Sequence, residues 1–245
     1  MEMRDDLLKS SPIDGASLAF PGPFDYQSGV SLMRHKLPYL YGVPLRSRLA
    51  GALGCSQSRI SFCNDADAFL LGELSQLPHP GGRSVGVTLG TGVGSAFAVN
   101  GNICAEGGWC PARRRDMEPS WNGGLLEDAV SGVRIIDAFC SMSGTRSKEV
   151  AEVAGAARDG NLSSRAAFEE YGRLVGAALG HALKAFRPST IFVGGGISKA
   201  AEFFLPSLMQ AVDFLQARVV VSADSKSSAV LGACLHWRDG VVSRT

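Results

Sequence analysis

The chain has 245 residues, which at about 150 residues per domain predicts one or two domains with a core that needs no disulfide bonds. Hydrophobic residues make up 45% of it and charged residues 19%, a balance that excludes a disordered protein. The 24 basic and 23 acidic residues leave a net charge of +1, so no overall field attracts nucleic acid or an anionic membrane. We therefore expect neither as a partner.

The six cysteines form no Cys-x-x-Cys pair, and the first residues lack an apolar run of signal-peptide length. Every longer apolar stretch is interrupted by charge or glycine before it reaches the ~18 residues that a membrane helix requires. The sequence therefore predicts a cytoplasmic protein with reduced thiols and no membrane span.

The first third of the chain alternates between strand and helix patterns. A short apolar run at 16–20 predicts a buried strand, ended by the Pro21-Gly22-Pro23 turn. Helical spacing over 45–53 predicts a helix, and 59–63 predicts a second strand. The Asn64-Asp65 pair follows that strand directly, where a new helical period begins. This alternation predicts an α/β fold.

The segment LPHPGGR at 77–83 is the clearest candidate for a domain boundary, because two prolines and two glycines lie together between periodic segments. We therefore predict a first domain over 1–83 and a second over 84–245.

The second domain is predicted to open with a glycine-rich hairpin. Strand patterns at 84–89 and 95–99 are joined through Gly90-Thr91-Gly92-Val93-Gly94. The patterns that follow predict, in chain order, helices over 126–139 and 168–186, a strand over 190–193, a helix over 199–212, a strand over 218–222 and a helix over 226–238.

Glycine-rich loops follow three of the predicted strands, at 21–23, 90–94 and 194–196. Such loops expose backbone N–H groups, which can hold phosphate, although each loop taken singly can also be only a turn. The 90–94 loop does not fit the dinucleotide-binding fingerprint, because no acidic residue follows at about 20 residues within a βαβ unit.

Asn64 and Asp65 offer an amide that both donates and accepts hydrogen bonds and a carboxylate that accepts them when ionised. Such a pair can orient a hydroxyl and take its proton, or it can simply cap the helix that follows. Glu106 and Glu127 lie in an irregular region, and by themselves they are indistinguishable from surface carboxylates.

The order of six motifs resembles the ROK family of sugar kinases and sugar-responsive repressors over about residues 16–237. These motifs are PGPFD, NDADAFLLGE, TLGTGVGSA, GGLLEDAVSG, IFVGGGIS and AVLGACLHW. The resemblance implies an actin-like, ribonuclease H-like ATPase fold of two α/β domains. It also implies phosphorylation of a hexose or amino-hexose by ATP with Mg²⁺.

Matched motif by motif, Asp65 corresponds to the family's catalytic base and Asn64 to its partner for a sugar hydroxyl. Pro21 and Gly22 correspond to the loop that lines the sugar, and Glu106 and Glu127 to two sugar-binding glutamates. The resemblance thus implies that Asp65 faces one of these glutamates across a cleft between the domains.

The glycine loops correspond to the nucleotide site. The residues matched to the family's second phosphate loop are Gly90, Thr91, Gly92 and Gly94, and those matched to the turn near the adenosine are Gly194, Gly195 and Gly196. Gly94-Ser95-Ala96 is also similar to the variant in polyphosphate-using glucokinases, so polyphosphate is an alternative donor.

The sequence departs from the family at Trp109, which replaces a histidine that contacts the sugar and binds a structural zinc. An indole nitrogen only donates hydrogen bonds, and Cys104 and Cys110 do not complete a four-ligand site. We therefore expect no zinc, with Trp109 still lining the sugar.

A second departure is that no Asp-x-Gly-Gly-Thr hairpin, the family's first phosphate loop, precedes residue 16. The first domain is therefore expected to be N-terminally truncated. An alternative to a kinase is a catalytically impaired sugar-binding sensor or remnant. A repressor would need a winged helix, for which fifteen residues are too few. Because family members are commonly dimers, a homodimer is expected.

Overall fold

The structure of the chain, a computed structural model, describes residues 13–34, 37–104 and 130–242. The strands are β1 (Ala16–Phe20), β2 (Phe24–Asp25), β3 (Val30–Ser31), β4 (Ile60–Asn64), β5 (Arg83–Leu89), β6 (Val93–Val99), β7 (Asn102–Ile103), β8 (Thr190–Gly194) and β9 (Arg218–Val221). The α-helices are α1 (Leu45–Leu53), α2 (Asp65–Ser75), α3 (Gly132–Ser143), α4 (Val150–Arg158), α5 (Leu162–Phe186), α6 (Ala201–Ala211) and α7 (Ser225–Val242).

Two compact units account for these elements. The first comprises the chain up to Gln76 together with the residues from Lys226 onward, and the second comprises Leu77–Ser225. Within the described ranges, no helix combines the length and apolar character needed to cross a membrane.

In the first unit, β1 and β4 pair in parallel, and the pairing runs from Ala16 opposite Ile60 to Phe20 opposite Asn64. Aromatic side chains pack beside this pair, with the rings of Phe20 and Phe24 stacked at 4.8 Å between centroids. Because parallel strands end at the same edge, the residues that follow Phe20 and Asn64 emerge next to each other. This edge carries the candidate sugar-site residues.

Helices α2 and α7 cross closely in the first unit, because glycine lies at the contact on both helices. A Cβ at Gly72 would overlap the carbonyl oxygen of Ser228, and one at Gly232 would overlap that of Ala68. Small residues four apart on each helix, Ala68 and Gly72 on α2 and Ser228 and Gly232 on α7, thus let the two backbones meet.

The observed units differ from the predicted domains 1–83 and 84–245. Helix α7 packs with the first unit, where the indole N–H of Trp237 donates to the backbone oxygen of Arg59 at 2.8 Å. The division also falls after Gln76, so the LPHPGGR segment belongs to the second unit. Helical periodicity identifies an apolar face, but it does not indicate which unit that face will contact.

The second unit contains a five-stranded sheet in the order β7-β6-β5-β8-β9. Strands β5, β8 and β9 are parallel, whereas β6 and β7 run antiparallel on the other side of β5. Thr88 near the end of β5 lies opposite Gly94 on one side and Gly194 on the other. Both glycine-rich loops of this unit therefore lie at the same edge of the sheet.

Helix α5 contributes much of the core of the second unit. Its fully buried side chains include Phe168, Tyr171 and Val175, and the ring of Tyr171 meets that of Phe204 on α6 edge-on at 5.7 Å. The helix ends at Phe186, two residues before Pro188. This core supports the sheet that carries the two loops.

Candidate functional site

Asn64 is the last residue of β4 and the N-cap of α2. Its Oδ1 accepts hydrogen bonds from the backbone N–H groups of Ala66 at 3.0 Å and Asp67 at 3.3 Å. Its Nδ2 donates to the hydroxyl of Tyr26 at 3.1 Å. The amide therefore caps the helix through its oxygen, as the alternative interpretation of the sequence expected, while its nitrogen makes a separate contact.

Asp65 is the first residue of α2, and its side chain is half-buried. Its Oδ1 accepts from the N–H of Ala66 at 2.9 Å. The N-terminus of a helix stabilises nearby negative charge, so this position favours a carboxylate. An ionised carboxylate held by its own helix can accept a proton from a hydroxyl placed beside it.

The thiol of Cys63 lies buried just before this pair, in β4. Burial raises its pKa to about 11, while a hydrogen bond with Ser17 lowers the pKa and the negative charge of Asp65 raises it further. The thiol therefore stays protonated at neutral pH and offers no nucleophile to the site.

The loop after β1 lies beside Asn64, as the parallel pairing requires. Gly22 is exposed, and a Cβ built on it would lie 3.9 Å from the hydroxyl oxygen of Tyr26. The structure thus brings four of the predicted sugar-site residues, Pro21, Gly22, Asn64 and Asp65, to one strand edge.

Tyr26 joins these residues, and sequence reasoning missed it. Its hydroxyl donates to the backbone oxygen of Phe20 at 3.0 Å and accepts from Asn64. The only signal in the sequence was a tyrosine shortly after PGPFD, and an aromatic residue there is equally typical of a hydrophobic core.

The glycine loops of the second unit meet the N-terminus of α3. The N–H of Gly90 donates to Gly92 O at 3.0 Å, and the N–H of Gly132, the first residue of α3, donates to Gly90 O at 3.0 Å. Gly195 has a φ of +89°, and a Cβ there would overlap Leu89 O at the end of β5. Only glycine permits so close an approach of the two loops.

This arrangement has the chemistry of an anion site. Helix α3 has 12 residues, and the first N–H groups of a helix carry partial positive charge and lack partners within the helix. Thr91 and Gly196 are both exposed at the adjoining loops. The two loops that carry the predicted phosphate and adenosine residues therefore each expose a residue to solvent and lie at one sheet edge, although Gly194 itself is buried.

The remaining predicted site residues, Glu106, Trp109 and Glu127, lie outside the described residues, as does Cys110. Cys104 follows β7, where its N–H donates to Phe97 O at 2.8 Å. In the part of the chain that the structure describes, no three His, Cys, Asp or Glu side chains are grouped to hold a metal ion. The absence of zinc stays a prediction.

Comparison with known proteins links the chain to one family. The ROK family model matches residues 120–239. A glucokinase from Thermotoga maritima is 26% identical in an alignment of 247 positions that covers 87% of this chain and 75% of that enzyme.

Solved structures share the fold at lower identity. A ROK family glucokinase from Streptomyces griseus in complex with glucose and AMPPNP is similar with a TM-score of 0.73 and 18% identity, over 97% of this chain and 88% of that one. A ROK family transcriptional regulator, described as a homologue of the E. coli MLC protein, is similar with a TM-score of 0.75 and 20% identity, over 99% of this chain and 67% of that one.

These likenesses confirm the predicted fold class, an actin-like α/β fold. Because a kinase and a regulator share this fold, the fold alone does not assign an activity. The match of residues 120–239 to the ROK family model, the similarity to a glucokinase and the shared fold all agree with the order of the six motifs, and the chain is similar to members of the ROK family.

Proposed function

We propose that this chain is a sugar kinase that transfers the γ-phosphoryl group of ATP to a hydroxyl of a hexose or amino-hexose. The observation that carries the proposal is the placement of Asn64 and Asp65 beside the Pro21-Gly22 loop at one strand edge. The similarity to a glucokinase supports the same class of reaction.

At this edge, Asn64 would orient the sugar and Asp65 would act as the base. One N–H of the Asn64 amide donates to Tyr26, and the other has no partner among the described residues. This second N–H can donate to a sugar hydroxyl oxygen, while the carboxylate of Asp65 accepts the proton of the reacting hydroxyl. Pro21 and Gly22 would line the sugar. On sequence grounds, Glu106, Trp109 and Glu127 would complete the pocket.

In the second unit, the loops 90–94 and 194–196 and the N-terminus of α3 would hold the nucleotide. Bound ATP supplies the phosphoryl group, and Mg²⁺ offsets the charge of its phosphates. The chain contributes backbone N–H donors there, which suit phosphate oxygens. Because Mg²⁺ is usually held by phosphates, water and one or two carboxylates, we assign it no protein ligand among the described residues.

The transfer balances with these groups alone. The sugar oxygen forms a bond to the γ-phosphorus as the bond from that phosphorus to the bridging oxygen of ADP breaks. The proton of the sugar hydroxyl passes to the carboxylate of Asp65, which later releases it to water. Positioning and electrostatic stabilisation supply most of the catalysis in such reactions.

Replacing Asp65 by Asn tests this assignment, because the amide keeps the shape of the side chain and loses the base. ADP release should be measured with a panel of hexoses and amino-hexoses, and formation of sugar phosphate with polyphosphate as the donor. We expect Asp65→Asn to lower kcat by about 10²-fold or more, while calorimetry finds sugar affinity changed only a few-fold. Asp67→Asn, in the same first turn of α2, is the matched control and should keep its turnover.

Undiminished turnover in Asp65→Asn would contradict the assignment of the base. If the wild-type chain bound a hexose but turned over none with either donor, the result would favour the alternative, a sugar-binding sensor. The shared fold of the transcriptional regulator is the observation behind that alternative. The expected homodimer remains a prediction, which light scattering of the purified chain tests.

A further inference from the structure

The hydroxyl of Tyr26 connects the two chain segments of the proposed sugar site. It lies 3.0 Å from the backbone oxygen of Phe20, at the end of β1, and 3.1 Å from Nδ2 of Asn64, at the end of β4. A Cβ built on the exposed Gly22 would lie 3.9 Å from the same hydroxyl oxygen. One oxygen atom thus contacts or adjoins the loop, the strand end and the amide.

The directions of these hydrogen bonds follow from the partners. A carbonyl oxygen only accepts, so the single proton of the Tyr26 hydroxyl is donated to Phe20 O. Toward Asn64 the hydroxyl can therefore only accept, and the group that faces it must be the NH₂ of the amide.

The opposite side of the amide is constrained in the same way. The backbone N–H groups of Ala66 and Asp67 only donate, so the atom facing them must be Oδ1 of Asn64. If the amide were flipped, its oxygen would face the hydroxyl oxygen of Tyr26, and its NH₂ would face the N–H groups of Ala66 and Asp67. Both contacts would be repulsive. Tyr26 and the start of α2 together fix one orientation, in which the second N–H makes no hydrogen bond to any other described residue and can donate to a ligand.

Tyr26 is itself held firmly at this position. Its ring packs against that of Phe24, with 5.2 Å between centroids. The guanidinium of Arg46 donates to the backbone oxygens of Tyr26 at 3.2 Å and Gln27 at 3.0 Å, and also to that of Ile60 at the start of β4. A planar fork of five N–H donors can bind several carbonyls at once, so Arg46 ties the Tyr26 segment to β4.

We infer that Tyr26 is a positioning residue for sugar binding, which acts by holding the Asn64 amide with its second N–H toward the sugar hydroxyl. This inference rests on the proposed function, in which Asn64 binds the sugar. On this inference, the hydroxyl of Tyr26, and not its ring, contributes to the affinity for the sugar.

The variant Tyr26→Phe tests the inference, because it keeps the ring and removes only the hydroxyl. We expect KM and the calorimetric Kd for the hexose to rise about tenfold, the change that corresponds to one net hydrogen bond, with kcat within about threefold of wild type. The matched control is Tyr41→Phe, whose hydroxyl accepts from Arg34 at 2.6 Å at an exposed position in the same unit. It should leave KM and Kd unchanged.

A second measurement does not depend on activity. The side-chain NH₂ signals of Asn64 in a ¹H–¹⁵N spectrum can be assigned by their loss in Asn64→Asp. We expect them to shift and to exchange with water about tenfold faster in Tyr26→Phe, and to stay in place in Tyr41→Phe. Similar melting temperatures of the two variants show that the fold is intact.

These measurements distinguish a failure of the positioning role of Tyr26 from a failure of the proposed function. Unmoved Asn64 signals in Tyr26→Phe, or an unchanged KM and Kd in an active enzyme, would overturn the positioning role. If the wild-type chain binds no hexose, the proposed function fails, and the sugar-binding part of this inference fails with it. A shift of the Asn64 signals would then support only the orientation of the amide by Tyr26.

Discussion

Asn64 combines two roles that the sequence presented as alternatives. Its oxygen caps α2, and its nitrogen donates one N–H to Tyr26, while the other N–H has no partner in the described part of the chain. Because an amide carries its acceptor and its donors on different atoms, capping a helix does not prevent it from binding a hydroxyl. The capping interpretation and the functional interpretation of an Asn-Asp pair are therefore compatible.

The buried thiol of Cys63 is expected to react slowly in the folded protein. With a pKa of about 11, about one thiol in a thousand is ionised at pH 8, and the side chain is also buried. We expect alkylation of Cys63 in the folded protein to be at least 10²-fold slower than that of the exposed Cys234. Timed alkylation followed by mass spectrometry of the peptides measures both rates.

The raised pKa of Cys63 also determines how its alkylation rate depends on pH. Because burial raises the pKa of Cys63 to about 11, its thiolate fraction and hence its alkylation rate should rise about tenfold with each pH unit and level off only above about 11. In urea both cysteines should react at similar rates, which is the control. Equal rates for the two cysteines in the folded protein would show that the Cys63 thiol is not buried as described.

At the level of elements, glycines allow helices to approach more closely than side chains would permit. On α5, a Cβ at Gly172 would overlap the backbone oxygen of Phe204 on α6, whereas a Cβ at Gly180 of the same helix meets nothing within 4 Å. The two glycines thus have the same helical context and differ in their tertiary contact.

We predict that Gly172→Ala lowers the free energy of unfolding by about 2–4 kcal/mol, because α5 and α6 must separate to admit the methyl group. Gly180→Ala should raise it by up to ~1 kcal/mol, since alanine is the better helix former. Urea denaturation monitored by circular dichroism measures both. If Gly172→Ala were as stable as Gly180→Ala, the close contact between α5 and α6 would be wrong.

Local signals predicted most of the elements. The strand over 16–20 matches β1, the helix over 45–53 matches α1, and Pro188 correctly placed the end of α5. The predicted strand 59–63 is shifted by one residue from β4, because a 3₁₀ turn occupies Gln57–Arg59.

Other elements could not be predicted in this way. The two-residue strands β2 and β3 are too short to show a period, and helix α4 was missed. Helix α5 starts at Leu162, six residues before the predicted start, where Oδ1 of Asn161 accepts from the N–H of Ser164 at 2.9 Å. That cap was readable from the sequence, as an asparagine just before a helical stretch.

For the whole molecule, the candidate site was predictable where it depends on strand order. Each glycine loop and the Asn-Asp pair directly follows a strand, and within each unit the parallel strands carry such residues to one edge of their own sheet. The assignment of α7 to the first unit and the role of Tyr26 depend on contacts between residues distant in the chain. A single sequence carries no signal for either.

The two ligands proposed for the chain should protect different units from hydrogen exchange. Because Phe20, Gly22, Asn64 and Asp65 belong to the first unit, a hexose should slow exchange in peptides that contain them. ADP should slow exchange in peptides from the 90–94 and 194–196 loops of the second unit. At about 100 times Kd, each ligand adds roughly 2.7 kcal/mol to the stability of the form that binds it.

Mass spectrometry of the exchanged peptides measures this protection, and peptides from α4 (Val150–Arg158), which contributes no proposed site residue, serve as the internal control. Asp65→Asn should retain the hexose pattern in full, since the amide of Asn64 and the cap of α2 remain while the base is lost. Protection by a hexose that fell only on the glycine loops of the second unit would place the sugar away from Asn64 and contradict the proposed site. Protection of the first unit by hexose in both the wild-type and Asp65→Asn chains, with turnover only in the wild type, would separate binding from transfer and assign the transfer to Asp65.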